Sequence, residues 1–201
     1  MQTTLTRIDL KNTMKSLYAA AHRRVDLLEI PALPFLMIDG SGKPTGAGFQ
    51  QAAAALYPVA YLLKFMVRGS LGIDYGVMPM EVIWNVNRQE KRFRWTMMLL
   101  QPEWITPDMV VEAVEKARAK SNPTLLDQVR LETLAEGPCA QMLHRGPYEG
   151  IDESLAFMTA RLSALGYTTD TTTHDIYLND VRRTQPANLR AIMRVRVMPD
   201  H

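Results

Sequence analysis

Asp175 and Tyr177 stand two residues apart in "HDIYLND", a run in which polar and apolar side chains alternate. Such alternation predicts a strand with the carboxylate and the phenol on one face and His174 and Ile176 on the other. Facing a cleft, the carboxylate could attract a cation or take a proton from water, and the phenol could donate one. Facing solvent, the same pair would be polar decoration on an edge strand, and the residues alone leave both readings open. A second carboxylate, Glu81, opens a strand in "MPMEVIW" among apolar neighbours. Alternation groups it with Ile83 and turns Trp84 to the opposite face. A carboxylate in that company sits at a rim or is buried with a partner.

Aromatic and thioether side chains crowd the same third of the chain: Tyr75, Met78, Met80, Trp84, Trp95, Met97, Met98 and Trp104. They suit a pocket for flat apolar ligands, because rings stack and thioethers adapt their shape, and they equally suit a packed core. Tyr75, Trp84, Trp95, Met97, Trp104 and Tyr177 are the candidate ligand contacts, with His144, which precedes "RGPY". Tyr148 in that same loop, "RGPYEG", is a further phenol near the candidate site. Cys139 and His144 are separated by an odd spacing on an extended segment and point to opposite faces, which argues against a cysteine–histidine nucleophile pair.

Other chemistries lack their residues. Four scattered histidines have no metal-ligand spacing, and no nucleophile-elbow sequence is present. The glycine-rich "GSGKPTGAG" lacks the spacing of a phosphate-binding loop and reads as a connector. No metal or other cofactor is therefore expected. A formal charge of +2 over 201 residues gives no basic footprint for nucleic acid. A single cysteine excludes an internal disulfide and fits a reducing compartment. No signal-peptide core or membrane span is read, so a cytoplasmic protein without a membrane partner is the expectation.

The elements that must position these residues come in two passes. Ile8–Tyr18 reads as a short helix or ordered arm, and Phe35–Asp39 as a strand. Ala52, Ala55, Leu56, Val59, Ala60, Leu63, Met66 and Val67 have helical spacing, with Pro58 expected to bend the helix. Glu81–Val86 and Arg92–Leu100 read as strands around the polar turn "NRQE". Thr106, Pro107 and Asp108 start a connecting helix over about 106–122. Extended chain at Val129–Glu136 and Cys139–His144, a helix with Leu155, Met158, Leu162 and Leu165 on one face, and strands at "HDIYLND" and Leu189–Val197 complete a second pass. Each half is strand, helix, strand, strand, the first over about 30–105 and the second over about 123–201, within one domain spanning 1–201. One helix per half covers one sheet face, and a seam between the halves is the expected ligand site.

Taken in order, "MPMEVIW", "RFRWTMMLLQPEWIT", "LAEGPCAQMLHRGPYE" and "HDIYLNDVRRT", with the opening "IDLKNTMKSLYAA", resemble the stand-alone GyrI-like small-molecule-binding proteins over nearly the whole chain. The resemblance implies an α+β fold, a pseudo-two-fold tandem of β-α-β-β modules with helices on one side of antiparallel sheets and a central cleft. It further implies binding of planar lipophilic or cationic molecules, and a branch that hydrolyses the cyclopropane of DNA-alkylating natural products. The family's cleft glutamate falls on Asp175 and its tyrosine on Tyr177. The aspartate retracts the carboxylate by about 1.5 Å, one covalent bond. The family's proline after "ND" is Val181 here.

Two functions from different classes follow. In a hydrolase, Asp175 or alternatively Glu81 positions the attacking water, and Tyr148 or Tyr177 donates to the carbonyl that gains charge as the ring opens. In a non-catalytic protein, the same pocket sequesters toxic planar compounds; a protein-interaction inhibitor module is a third reading. In each small-molecule reading the protein acts without a cofactor, as a monomer or homodimer.

Overall fold

The computed structural model describes residues 5–87 and 92–200. In the polar turn "NRQE", residues 88–90 lie outside the described residues. An N-terminal arm carries β1 (Thr6–Ile8) and two single-turn helices, α1 (Leu10–Thr13) and α2 (Lys15–Tyr18). Asp9 caps α1 by accepting a hydrogen bond from the Asn12 amide at 3.1 Å. β2 (Asp26–Ile30) and β3 (Leu33–Ser41) flank Pro31, and α3 (Ala47–Leu71) then runs through Pro58 and ends at Gly72 in the left-handed region. β4 (Ile73–Tyr75), β5 (Met80–Asn87) and β6 (Arg92–Leu100) close the first half, and α4 (Pro107–Lys120) is capped by Thr106. The second half holds β7 (Arg130–Leu134), β8 (Gly137–Arg145), α5 (Ile151–Ala164), β9 (Tyr167–Thr169), β10 (Thr172–Tyr177) and β11 (Arg190–Pro199).

The repeated unit is β3-α3-β5-β6 in the first half and β8-α5-β10-β11 in the second, an α+β fold on a largely antiparallel sheet. The sheet order β2-β8-β11-β10-β5-β6-β3-β7 mirrors one half onto the other across the antiparallel β5–β10 pair. Both helices cover the same face. On that face Trp84 stacks on Phe49 of α3 and Trp95 meets it edge to face, and Met142 and Met193 pack under Met158 and Leu162 of α5. α4 packs outside α3. α1 and α2 lie on the other face, where Leu17 meets Cys139 and Ile30, and Tyr18 meets Leu143, Ile176 and Ile192.

The edge strands are exchanged. β2 leads directly into the first half yet pairs with β8 of the second, and β7 leads into the second half yet pairs with β3 of the first. Each half therefore completes the other's sheet.

Gly40 has a steric reason. It sits opposite Trp95 on the β3–β6 ladder, the indole lies across it, and a Cβ there would come 2.2 Å from Trp95 Cη2. Trp95 Nε1 is anchored by donating to the Gly42 carbonyl at 3.1 Å, so the ring cannot swing clear without losing that bond. Gly40→Ala is expected to destabilise the protein by ~1–3 kcal/mol through overpacking, read as a lowered midpoint in chemical denaturation; an unchanged midpoint would refute this packing account.

Candidate functional site

β10 is the central strand on which the chemistry converges. Its ladder places Asp175 beside Val82 and Met193, and Tyr177 beside Met80 and Ala191, all on the helix-covered face. Asp175 is 3% exposed, and its Oδ1 has no hydrogen-bond partner. Desolvation raises its pKa to about 7, against the opposing charge of His174 and a hydrogen bond from Tyr177, with Asp152 of α5 adding to the rise. A buried carboxyl that titrates near neutrality is suited to take a proton from water.

Aromatic groups surround it. Trp84 Nε1 donates to the Tyr177 hydroxyl at 3.2 Å, and the Tyr148 ring meets the Tyr177 ring edge to face with centroids 5.1 Å apart. Tyr148 stands on a single 3-10 turn, Tyr148–Gly150, that leads into α5, and its hydroxyl reaches only the Asn179 carbonyl at 3.5 Å. Burial pushes the Tyr148 phenol up to about 12, with Asp175 and Asp180 reinforcing the shift, so it serves as a donor rather than a phenolate.

α3 and α5 flank this strand pair. Along α5, Asp152, Leu155, Ala156, Thr159 and Ser163 border an open recess of about 600 Å³. From α3, Tyr57 feels the charges of Asp180 and Arg182 just beyond β10, and its ring lies 6.5 Å from that of Tyr61. The recess is lined by side chains of α5, and the two tyrosines stand on α3. Tyr57, Tyr61 and Asp152 are not among the sequence candidates; the four-residue spacing of the two tyrosines, one turn apart on α3, is a signal for that pair, and nothing in the sequence singles out Asp152.

Glu81 belongs to the opposite face. Its Oε1 accepts from the Tyr18 hydroxyl at 2.6 Å, and its Oε2 lies 2.9 Å from His174 Nε2. His174 Nδ1 is 3.0 Å from Glu136, which also accepts from Arg194 Nη1 at 3.2 Å. Arg194 Nη2 donates to the Leu17 carbonyl and to Gln141, and Gln141 Nε2 donates to the Ser16 and Ala19 carbonyls. Two carboxylates, an imidazolium and a guanidinium thus neutralise one another and latch the N-terminal arm onto the sheet. Desolvation would lower the His174 pKa, yet Glu136 and Glu81 outweigh it and hold it up at about 9. Desolvation would likewise raise Glu136, yet His174 and Arg194 bring it down to about 2.

The remaining sequence candidates do not join Asp175. Trp95 and Met97 are buried beneath α3, and Trp104 meets Tyr75 edge to face at 6.3 Å in the same core. Only Trp84 of the three tryptophans reaches the Asp175 group: it pairs with Thr173 on the same face of the sheet, and its indole extends to the Tyr177 hydroxyl. His144 shares the helix-covered face but is held by Ser154 Oγ at 2.9 Å and the Pro147 carbonyl at 3.0 Å. It borders a separate recess of about 370 Å³ with His22, Arg23, Arg145 and Phe157, on the other flank of α5. Cys139 lies on the face opposite His144, as its spacing requires, and burial pushes its thiol up to about 12. Among the described residues no group of three or more His, Cys, Asp or Glu side chains could hold a metal ion, and no helix is long and apolar enough to cross a membrane.

No curated protein shows a significant sequence match to the chain. Among solved structures, a hydrolase from Listeria innocua is 32% identical, with 95% of this chain and 100% of that one covered and a TM-score of 0.85. An uncharacterized conserved protein from Listeria innocua gives the same identity and coverage with a TM-score of 0.87. At 9% identity, 88% of this chain and 98% of the EcmrR C-terminal domain superpose with a TM-score of 0.54, a likeness of fold alone. Residues 105–198 match the GyrI-like small molecule binding domain. With the mirrored β-α-β-β halves, these likenesses establish that the chain belongs to the GyrI-like small-molecule-binding family.

Proposed function

We propose that this protein binds planar, apolar or cationic small molecules between α3 and α5 and hydrolyses a strained electrophile, a cyclopropane conjugated to a carbonyl. The observation that carries the reading is the buried Asp175 carboxylate whose Oδ1 is left without a partner. An unpaired buried oxygen costs free energy, and a bound water or ligand cation would offset that cost. The similar Listeria hydrolase adds weight to turnover over mere binding.

In the proposed reaction Asp175 removes a proton from water as the water oxygen bonds to a cyclopropane carbon. The strained carbon–carbon bond breaks, and its electron pair passes through the conjugated ring to the carbonyl oxygen, which takes a proton from a tyrosine. The proton on Asp175 returns to the tyrosine through solvent, so the net change is addition of one water. Tyr57 and Tyr61 offer rings on which a flat scaffold stacks, and the small residues of α5 leave room for it. Asp175, Tyr148, Tyr177 and Trp84 carry the chemistry in this reading. Glu81, Trp95, Trp104, Tyr75, Met97 and His144 shape the scaffold. The reading needs no cofactor, nucleic acid or membrane, and places a monomer or homodimer in the cytoplasm.

A spirocyclopropyl dienone alkylator supplied in excess over protein is expected to give ring-opened hydrate well beyond one equivalent. The rate should climb as pH rises through about 7, where Asp175 ionises. Saturable binding with product capped at zero or one equivalent would replace the enzyme by a sequestering protein.

A further inference from the structure

On the flank of α5 away from Asp175, a serine meets a histidine. His144, the next-to-last residue of β8, is 4% exposed, and both of its ring nitrogens are engaged. Nε2 lies 3.0 Å from the Pro147 carbonyl, which can only accept, so Nε2 carries the hydrogen. In the neutral ring Nδ1 then offers a lone pair, and Ser154 Oγ, 2.9 Å away, donates to it. A serine inside a helix commonly turns its hydroxyl to solvent or back to the carbonyl four residues earlier. Ser70 of α3 does the latter, donating to the Met66 carbonyl at 2.9 Å. Ser154, the fourth residue of α5, gives its proton to an imidazole instead. A hydroxyl bonded to a base that a third group orients is the arrangement of an activated nucleophile.

The pair is not sealed. Ser154 is half-buried, and both residues border the recess of about 370 Å³, a volume that admits a small organic molecule. Met142 and Phe157 give the recess apolar surface, and Glu153 borders it as a carboxylate. Phe157 follows Ser154 by three residues and so neighbours it on one face of α5. The Arg23 guanidinium lies over that ring, its Cζ 5.6 Å from the centroid, and among the described residues no carboxylate pairs with it. Arg23 has a φ of 56°, in the left-handed region that strains any residue with a side chain. The segment before it is pinned to β8: the Ala21 carbonyl accepts from the Leu143 amide at 3.1 Å, and His22 Nδ1 donates to the Leu143 carbonyl at 3.2 Å. The strained residue is thus held beside the recess.

We propose that Ser154 and His144 form a second catalytic site, an acyl-transfer pair that hydrolyses small neutral esters. Ser154 Oγ bonds to the ester carbonyl carbon as its proton passes to His144 Nδ1. The Arg23 guanidinium offers N–H donors to the negative charge that forms on the carbonyl oxygen. The bond from the carbonyl carbon to the alcohol oxygen then breaks, and the leaving alcohol takes the proton from Nδ1. Water next loses a proton to the same nitrogen as its oxygen bonds to the acyl carbon and displaces Ser154, which takes that proton back. The net change is ester plus water to acid plus alcohol. Glu153 at the border disfavours an anionic ester, since like charges repel. This site shares no residue with the Asp175 group, and it stands whether or not that group opens a cyclopropane.

The test labels the full chain with a fluorophosphonate, from whose phosphorus an activated serine oxygen displaces fluoride, and locates the label by peptide mass spectrometry. A phosphonyl group is expected on Ser154 and is expected to be missing in Ser154→Ala. No label, or label confined to other residues, refutes the nucleophile. Hydrolysis of p-nitrophenyl acetate should fall by about 10² or more in Ser154→Ala and in His144→Gln, and by about tenfold or more in Arg23→Gln. An unchanged rate in Ser154→Ala assigns the hydrolysis to other groups and overturns the site, and an unchanged rate in Arg23→Gln overturns the role of Arg23. Should His144→Gln fail to fold, the wild-type chain unfolded in guanidinium chloride replaces it. Ser154 should lose its label there, and equal labelling of the folded and unfolded chains overturns activation by His144.

Discussion

Asp175→Asn is expected to reduce hydrolysis of a spirocyclopropyl dienone by roughly 10²–10⁴-fold, the usual worth of a general base, while the protein stays folded. The asparagine keeps the size and hydrogen-bonding reach of the side chain but cannot take the proton. The same change should stabilise the protein, and the sign follows from the direction of the pKa shift. Asp175 titrates near 7 when folded against about 3.8 when unfolded, so the fold favours the protonated form. The cost of keeping it is nil below about pH 4, grows as pH rises toward 7, and is constant above. Asp175→Asn should therefore match the wild type in acid and exceed it by about 2 kcal/mol above pH 7, a figure discounted from roughly 1.4 kcal/mol per pKa unit because the amide is also buried. Gain of stability with loss of turnover is the signature of a strained functional carboxylate. Asp175→Glu restores the longer reach that the family resemblance implies and should preserve or increase activity. Full activity in Asp175→Asn together with a dead Glu81→Gln would transfer the role to Glu81.

The second large effect falls on the other face of the sheet. Glu136→Gln removes the charge that both His174 and Arg194 oppose, leaving two buried cations with Glu81 as their remaining carboxylate. Breaking a buried ionic group in this way costs about 3–5 kcal/mol, a fall in Tm of roughly 6–20 °C for a chain of this size. The pH dependence distinguishes this cause from general damage. His174 is held above its ordinary 6.5, so its stabilisation is complete below about 6.5 and is lost as pH climbs through 9. Glu136 is held below its ordinary 4.5, so its stabilisation is complete above about 4.5 and is lost as pH falls through 2. The wild-type network therefore contributes most between about pH 4.5 and 6.5. In Glu136→Gln the acid limb should vanish, and the alkaline limb should be smaller and end at lower pH. Because the arm is held through the Leu17, Ser16 and Ala19 carbonyls, its protease sensitivity should rise in parallel. A Tm within a degree or two of wild type would show that the latch carries little of the fold's stability.

Much of this arrangement was legible in local pattern. The helical spacing from Ala52 to Val67 lies inside α3, Thr106-Pro107 caps α4, and the repeated strand, helix, strand, strand order is the one observed. Facing was equally readable. Asp175 with Tyr177, Glu81 opposite Trp84, and Cys139 opposite His144 all follow from the period of two, because the side to which a strand residue points is decided by its own backbone. Short elements were not readable: β1, β4 and β9 hold three residues each, too few for any period to register.

What each face meets was decided only by the tertiary structure. Nothing near β2 or β7 says that each pairs with the other half's sheet, since edge pairing depends on where the chain crosses and not on the strand's own residues. Trp84 reaches Tyr177 across 93 residues, and Arg194 reaches the Leu17 carbonyl across 177. Glu81 read alone allowed a rim position, a catalytic role or burial with a partner. The β5–β10 register and the arm behind it supplied Tyr18 and His174 and left Asp175, one ladder rung away on the other face, as the carboxylate with an oxygen to spare. A strand's alternation fixes which way a charge points, but whether that charge is neutralised or left poised depends on the strands and helices that the fold brings against it.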